Sequence, residues 1–170
     1  SPFASGRSPI AAVVNPLANR LYIANYGDNT ISVYDTSSMT QISGSPFPAG
    51  NGPRAMALDI LRNLLYIVNL TENNLRVYDT NTMLEISDSP FTTGSGPTAL
   101  VLDYVTKRLY IANNISNSVT VYDTLTMTQL SGSPFTAGTR PSGLAVDPVA
   151  RRLYIANSGS NNMAVYDTLT

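Results

Sequence analysis

Apolar residues in this chain come in short alternating runs, and the runs recur at a fixed spacing. Leu21, Leu65, Leu109 and Leu153 stand 44 residues apart. Around each lies the segment RLYIAN (20–25, 108–113, 152–157) or LLYIVN (64–69). A few residues later comes ISVYDT, LRVYDT, VTVYDT or MAVYDT. In an extended chain successive side chains point to opposite faces, so Leu21 and Ile23 share one face and Tyr22 and Ala24 the other. Both faces are apolar, which predicts a strand covered on both sides. The run is short, rich in Tyr and Ile, and bounded by Asn, Gly and Asp, which argues against a helix.

The four-residue loops YGDN (26–29), LTEN (70–73), NISN (114–117) and SGSN (158–161) separate this strand from the next. They differ in almost everything except their final Asn. A four-residue loop predicts that Leu21 lies opposite Tyr34 and Tyr22 opposite Val33, and a slip of one residue would reverse the faces. Upstream, Pro9, Pro53, Pro97 and Pro141 lead into small-residue strands that end in Asn15, Asp59, Asp103 or Asp147. Downstream, turns containing Met39, Met83 and Met127 precede a polar fourth strand such as TQISGSPF (40–47). Its proline suits an outer edge and not a sheet centre. Each unit is therefore predicted to be a four-stranded antiparallel meander. Four short strands in 40–45 residues form the signature of a propeller blade, which needs neighbours to cover its two apolar faces.

The combination of LYIAN, VYDT and SPF resembles the YVTN family of β-propeller repeats, found in archaeal and bacterial surface-layer and secreted proteins. It is also similar to the repeats of the seven-bladed lactonase family. The resemblance spans all four units. It implies an all-β propeller and a secreted or cell-surface setting, with a lactonase-like hydrolase as the alternative activity.

The expected organisation is a single propeller domain over residues 1–170, with repeats near 1–44, 45–88, 89–132 and 133–170. The last repeat stops after VYDTLT, while the chain opens with SPF, the end of an outer strand. The N-terminal segment is therefore expected to complete the last blade. Two copies joined head to tail would make an eight-bladed ring. A four-bladed monomer and a part of a larger propeller are the alternatives. The opening SPFASGRSP has neither the basic nor the apolar region of a signal peptide and no initiator Met, which suggests a removed leader or an excerpt.

Composition narrows the chemistry. Net charge is −1 and only 12% of residues are charged. The ten basic residues, Lys107 the single lysine among them, are scattered, so nucleic acid is not an expected partner. No apolar run approaches the roughly 20 residues needed to span a membrane as a helix. The Ser-, Thr- and Asn-rich polar surface points to an extracellular or cell-surface location. There is no Cys and no His. Disulfides, thiolate metal sites and Ser-His or Cys-His pairs are thereby excluded.

The repeated Asp35, Asp79, Asp123 and Asp167 are expected to cap turns, as are Asn15, Asp59, Asp103 and Asp147, because Asp and Asn bond the backbone two residues on. No metal site and no cofactor are expected. The period-obeying tyrosines are expected in the core. Asp28 and Glu72, in the variable loops, are the best general bases available to a hydrolase. Residues where the units disagree mark a candidate ligand face: Arg7, Tyr26, Asp28, Asn51, Arg54, Glu72, Thr98 and Arg140. A protein or carbohydrate ligand would suit such a face, and its arginines could hold a carboxylate. NLT at 69–71 and NIS at 114–116 are glycosylation acceptors if the chain is secreted. The leading expectation is a non-enzymatic binding or structural module.

Overall fold

The computed structural model describes residues 3–169. It is all-β, with no helix among the described residues. Ser1 and Pro2 of the opening SPF, and Thr170, lie outside the described residues. Two compact units divide the chain, Ser1–Phe91 and Thr92–Thr170.

Unit 1 contains two sheets. The first runs β1 (Pro9–Asn15), β2 (Arg20–Asn25) and β3 (Thr30–Asp35), with β4 (Thr40–Gln41) and β5 (Phe47–Pro48) both pairing with β3. The second is β6 (Pro53–Asp59), β7 (Leu64–Asn69), β8 (Asn74–Asp79) and β9 (Phe91–Thr92), in that order. Unit 2 repeats the plan in β10 (Pro97–Asp103), β11 (Arg108–Asn113), β12 (Ser118–Asp123) and β13 (Phe135–Thr136). Its other sheet has three strands, β14 (Pro141–Asp147), β15 (Arg152–Asn157) and β16 (Asn162–Asp167). The first three strands of every sheet pair antiparallel, as meandering blades should. The predicted register is present, with Leu21 opposite Tyr34 and Tyr22 opposite Val33.

The fourth strand is not the continuous run expected over 40–47. It is broken into β4 and β5, and in the next two blades its first part shrinks to single bridges, Tyr78–Glu85 and Tyr122–Gln129. The cause lies in the SPF motif. At the break the hydroxyl of Ser45, Ser89 or Ser133 accepts the amide of Val33, Val77 or Val121 at 2.9, 3.2 and 2.7 Å. A side chain thus takes the hydrogen bond that a strand carbonyl would have taken, and the following proline has no N–H to offer.

The turns follow local chemistry. Asp35 Oδ1 accepts the amides of Ser37 and Ser38 at 2.8 and 3.1 Å. Asp59 Oδ1 does the same for Leu61 and Arg62, both at 3.1 Å. Every repeated Asp or Asn at these two turn positions makes at least the first of these bonds. They are turn caps, as the sequence predicts.

Packing joins the two sheets of each unit. In unit 1, Tyr22, Ala24, Ile31 and Val33 of the first sheet cluster with Met56, Leu58, Leu65 and Ile67 of the second. In unit 2, Tyr110, Val119 and Val121 cluster with Leu153 and Ile155. Each interface therefore joins the Tyr/Val side of one blade to the Leu/Ile side of the next. At about 25 cal/mol per Å² of apolar surface removed from water, each buried Val, Leu, Ile or Met side chain contributes roughly 1.5–3 kcal/mol.

Candidate functional site

The loop between the second and third strands of each blade is stitched to the segment that enters the first strand of that blade. In the first blade Tyr26 N donates to Ser8 O and Gly27 N to Arg7 O, each at 3.0 Å. In the next, Leu70 N donates to Gly52 O at 2.7 Å. In unit 2, Asn114 N donates to Gly96 O at 2.8 Å and Ser158 N to Arg140 O at 3.0 Å. The entry residue has a left-handed backbone in all four blades: Ser8 at φ 51°, Gly52 at 72°, Gly96 at 68° and Arg140 at 52°. Glycine meets that requirement without a side-chain clash, whereas Ser8 and Arg140 hold it at a cost.

Two of the recurring loop-end asparagines, Asn29 and Asn117, for which the repeat suggests no role, join neighbouring blades. Asn29 Oδ1 accepts the amide of Gly52 at 2.9 Å, and Asn117 Oδ1 accepts that of Arg140 at 2.7 Å. Asn29, Asn73, Asn117 and Asn161 all have φ between 53° and 59°. Asn tolerates this conformation better than most residues and carries a short acceptor. The signal is visible as the same residue at the end of four otherwise divergent loops, but its partner lies 23 positions on, in the next blade.

A second Asn, the last residue of LYIAN, is buried. Asn25 Nδ2 donates to Ser32 Oγ at 2.9 Å, Asn69 to Asn74 Oδ1 at 2.9 Å and Asn113 to Thr120 Oγ1 at 2.8 Å. Burial of Asn69, at 0% exposure, corrects the expectation that NLT is a glycosylation acceptor in the folded chain. Asn114 of NIS is half-buried, and its amide donates to Pro141 O at 3.2 Å.

The candidate ligand residues fall into small groups. Arg7, Tyr26 and Asp28 lie together. Arg7 Nε meets Asp28 Oδ1 at 2.5 Å, and the Arg7 amide meets Asp28 Oδ2 at 2.6 Å. The Arg7 backbone N–H, then its guanidinium, holds the Asp28 carboxyl below its ordinary range. Tyr26 is 40% exposed beside this pair.

Asn51 and Glu72 form a second group. Glu72 accepts from Asn74 Nδ2 at 2.9 Å and from Arg76 at 3.3 Å, and Arg76 also meets Glu85 at 2.8 Å. Burial pushes the Glu72 carboxyl up, but hydrogen bonds from Asn74 and the Asn51 backbone, with the Arg76 charge, outweigh it and leave it lowered. Arg54 is half-buried in β6 of unit 1. Thr98 and Arg140 are in unit 2, where Thr98 Oγ1 donates to Pro141 O at 3.3 Å and the Arg140 side chain is exposed.

A carboxylate must accept a proton near neutral pH to serve as a general base, and a lowered pKa works against that. Asp28 and Glu72 are each held by an arginine. Among the described residues no group of three or more Asp or Glu side chains is arranged to hold a metal ion.

These blades can be compared with known proteins. A family model described as Lactonase, 7-bladed beta-propeller matches residues 12–169. The chain belongs to this family. Among solved structures, Kuenenia stuttgartiensis hydrazine synthase superposes with a TM-score of 0.80 at 20% identity, over 95% of this chain and 46% of that one. A Bacteroides uniformis protein described as a putative 6-phosphogluconolactonase gives 0.78 at 15% identity, over 94% and 50%. A chain of a nidogen/laminin complex gives 0.76 at 12%, over 97% and 62%. The lactonase-family chain thus matches 46–62% of the length of these structures. At such identities the likeness concerns the fold, which hosts unrelated functions. No match to a curated protein sequence was found.

Proposed function

We propose that this lactonase-family chain is a non-enzymatic binding or scaffold module of a secreted or cell-surface protein. Its ligand, a protein or carbohydrate, is taken on the face formed by the entry segments and the second-to-third strand loops. The observation that carries this reading over catalysis is the engagement of both candidate bases. Asp28 is bound to Arg7, and Glu72 to Arg76 and Asn74, with both carboxyls held below their ordinary range. The alternative, a lactonase-like hydrolase or a fragment of one, is supported as strongly by the family match.

A panel of sugar lactones separates the two. The binding reading expects hydrolysis at the uncatalysed rate, and glycan or protein capture that falls when Tyr26 and Arg140 are replaced by Ala. Turnover that is abolished by Glu72→Gln or Asp28→Asn would establish the hydrolase instead.

The ring is completed, in this reading, by a second copy head to tail, giving eight blades. Supporting this are exposed apolar side chains on the first blade, Val14 at 53%, and on the last, Met163 at 62% and Val165 at 47%. The corresponding Leu58, Ile31 and Val33 within unit 1 are at 6%, 0% and 0%.

A further inference from the structure

One dipeptide of the entry segments carries covalent chemistry that the fold holds back. Asn51-Gly52 is the only Asn-Gly pair in the sequence. The same two positions hold Arg7-Ser8, Ser95-Gly96 and Thr139-Arg140 in the other repeats. In an Asn-Gly pair the glycine nitrogen can reach the asparagine side-chain carbon, because the glycine has no Cβ to obstruct the approach. Once the Gly52 N–H has lost its proton to hydroxide, a bond forms from Gly52 N to Asn51 Cγ. The Cγ–Nδ2 bond breaks, and the nitrogen takes a proton from water and leaves as ammonia, which restores the hydroxide. The cyclic imide then adds one water and opens at either carbonyl, to aspartate or to isoaspartate. Water is the only co-reactant.

The structure treats the two residues differently. Asn51 is exposed, whereas Gly52 is buried. The Gly52 N–H, the group that must lose its proton, donates to Asn29 Oδ1 of the neighbouring sheet at 2.9 Å. The Gly52 carbonyl accepts the Leu70 amide at 2.7 Å. On the other side, the Asn51 amide donates to the Glu72 carboxylate. The backbone is thus held before and after the reacting bond. Space is tight as well. A Cβ at Gly50 would lie 2.6 Å from both Arg76 Nε and Asn69 Nδ2, and one at Gly52 would lie 2.5 Å from Thr71 Oγ1. Isoaspartate lengthens the main chain by one methylene, between two residues packed this closely.

We propose that Asn51 is a site of spontaneous conversion to aspartate and isoaspartate, and that Asn29, acting from the adjacent sheet, is the residue that retards it. The hydrogen bond to Asn29 Oδ1 keeps the Gly52 proton in place and the peptide plane away from Asn51 Cγ. Conversion adds a negative charge beside Glu72, on the face formed by the entry segments and the second-to-third strand loops. The chemistry is independent of what that face binds.

Peptide mapping by mass spectrometry tests this, with the full chain incubated at mildly alkaline pH and isoaspartate separated by chromatography. Asn29→Gly keeps the left-handed backbone and removes the acceptor. Asn29→Asp keeps both an acceptor oxygen and a tolerance for that backbone. Asn117→Gly removes the corresponding strut in unit 2. The chain in urea gives the unprotected rate, and circular dichroism confirms that the variants are folded. Conversion at Asn51 is expected to be fastest in urea and slowest in the folded unmodified chain. Asn29→Gly should speed folded-state conversion about three- to tenfold, the ratio expected for one lost hydrogen bond. Asn29→Asp should restore the slow rate, and Asn117→Gly should leave it unchanged. A folded chain that converts as fast as the chain in urea overturns the proposal, as does a chain in urea that does not convert at Asn51. Asn29→Gly at the unmodified rate, Asn29→Asp as fast as Asn29→Gly, or equal acceleration by Asn117→Gly overturns the role of Asn29.

Discussion

The third strands β3 and β16 make an instructive pair. TISVYD and NMAVYD occupy the same repeat position, pair with their second strands in the same register and end in the same Asp cap. Ile31 and Val33 are fully buried in β3, whereas Met163 and Val165 in β16 are 62% and 47% exposed. The difference does not come from the strand. It comes from whether another sheet lies on the Tyr/Val side. In repeat architectures stability is close to a sum of unit and neighbour terms, so a side chain's worth depends on its place in the array as much as on its identity.

The comparison can be broken most directly with one substitution at two equivalent sites. Leu65→Ala removes a fully buried side chain from the unit 1 interface and should cost about 3 kcal/mol; Leu21→Ala, at the half-buried first-sheet site, should cost about 1 kcal/mol in the single chain. Urea denaturation of the two variants measures both, and equal costs would contradict a role for the neighbouring sheet.

A smaller effect is expected at the break in the outer strand. Ser133→Ala leaves the buried Val121 amide without its acceptor and should destabilise by about 1–2 kcal/mol. Replacing Ser133 by Thr keeps the hydroxyl and should recover most of that loss in a thermal melt.

The loop-end asparagines come next. Asn117→Gly preserves the left-handed backbone but removes the acceptor for the Arg140 amide, and should cost about 1 kcal/mol. Asn161→Gly should be nearly neutral, since among the described residues its side chain has no corresponding partner. A chemical denaturation series on both variants shows whether the strut between blades accounts for the repeated Asn.

The smallest effect concerns Asp28. Its folded pKa is depressed, so its contribution is present above the unfolded value of about 4 and is lost as pH falls through the lower folded value. Asp28→Asn should therefore flatten the acid limb of the stability profile below about pH 4 and lower neutral-pH stability only slightly, because the pair is exposed. An NMR titration placing the Asp28 carboxyl in the ordinary carboxylate range would contradict the Arg7 contact.

What can be read from sequence is what depends on near neighbours. The alternation in LYIAN and the four-residue loop determine the pairing of Leu21 with Tyr34, and the caps at Asp35 and Asp59 depend on amides two and three residues away. The outer strand reads as continuous because nothing near Ser45 reveals that its hydroxyl replaces a carbonyl opposite Val33. Asn29 stands out as a repeated residue without a reason, because its partner is on another blade. Asn69 carries a glycosylation motif that only its burial overrides. The candidate ligand face is legible as a set of divergent positions. The pairing of Arg7 with Asp28 and of Glu72 with Arg76 is not, since side-chain reach and backbone course decide it.

β16 differs from β3 in its neighbours, and in the proposed head-to-tail assembly a second copy would supply them. The Val165 amide repeats that of Val33, which Ser45 Oγ accepts at 2.9 Å. Hydrogen exchange at Val165, followed by NMR from low to high micromolar chain concentration, tests this claim at the atom concerned. Head-to-tail assembly predicts exchange that slows with concentration towards the rate at Val33. Fast exchange at Val165, unchanged across that range, would contradict it.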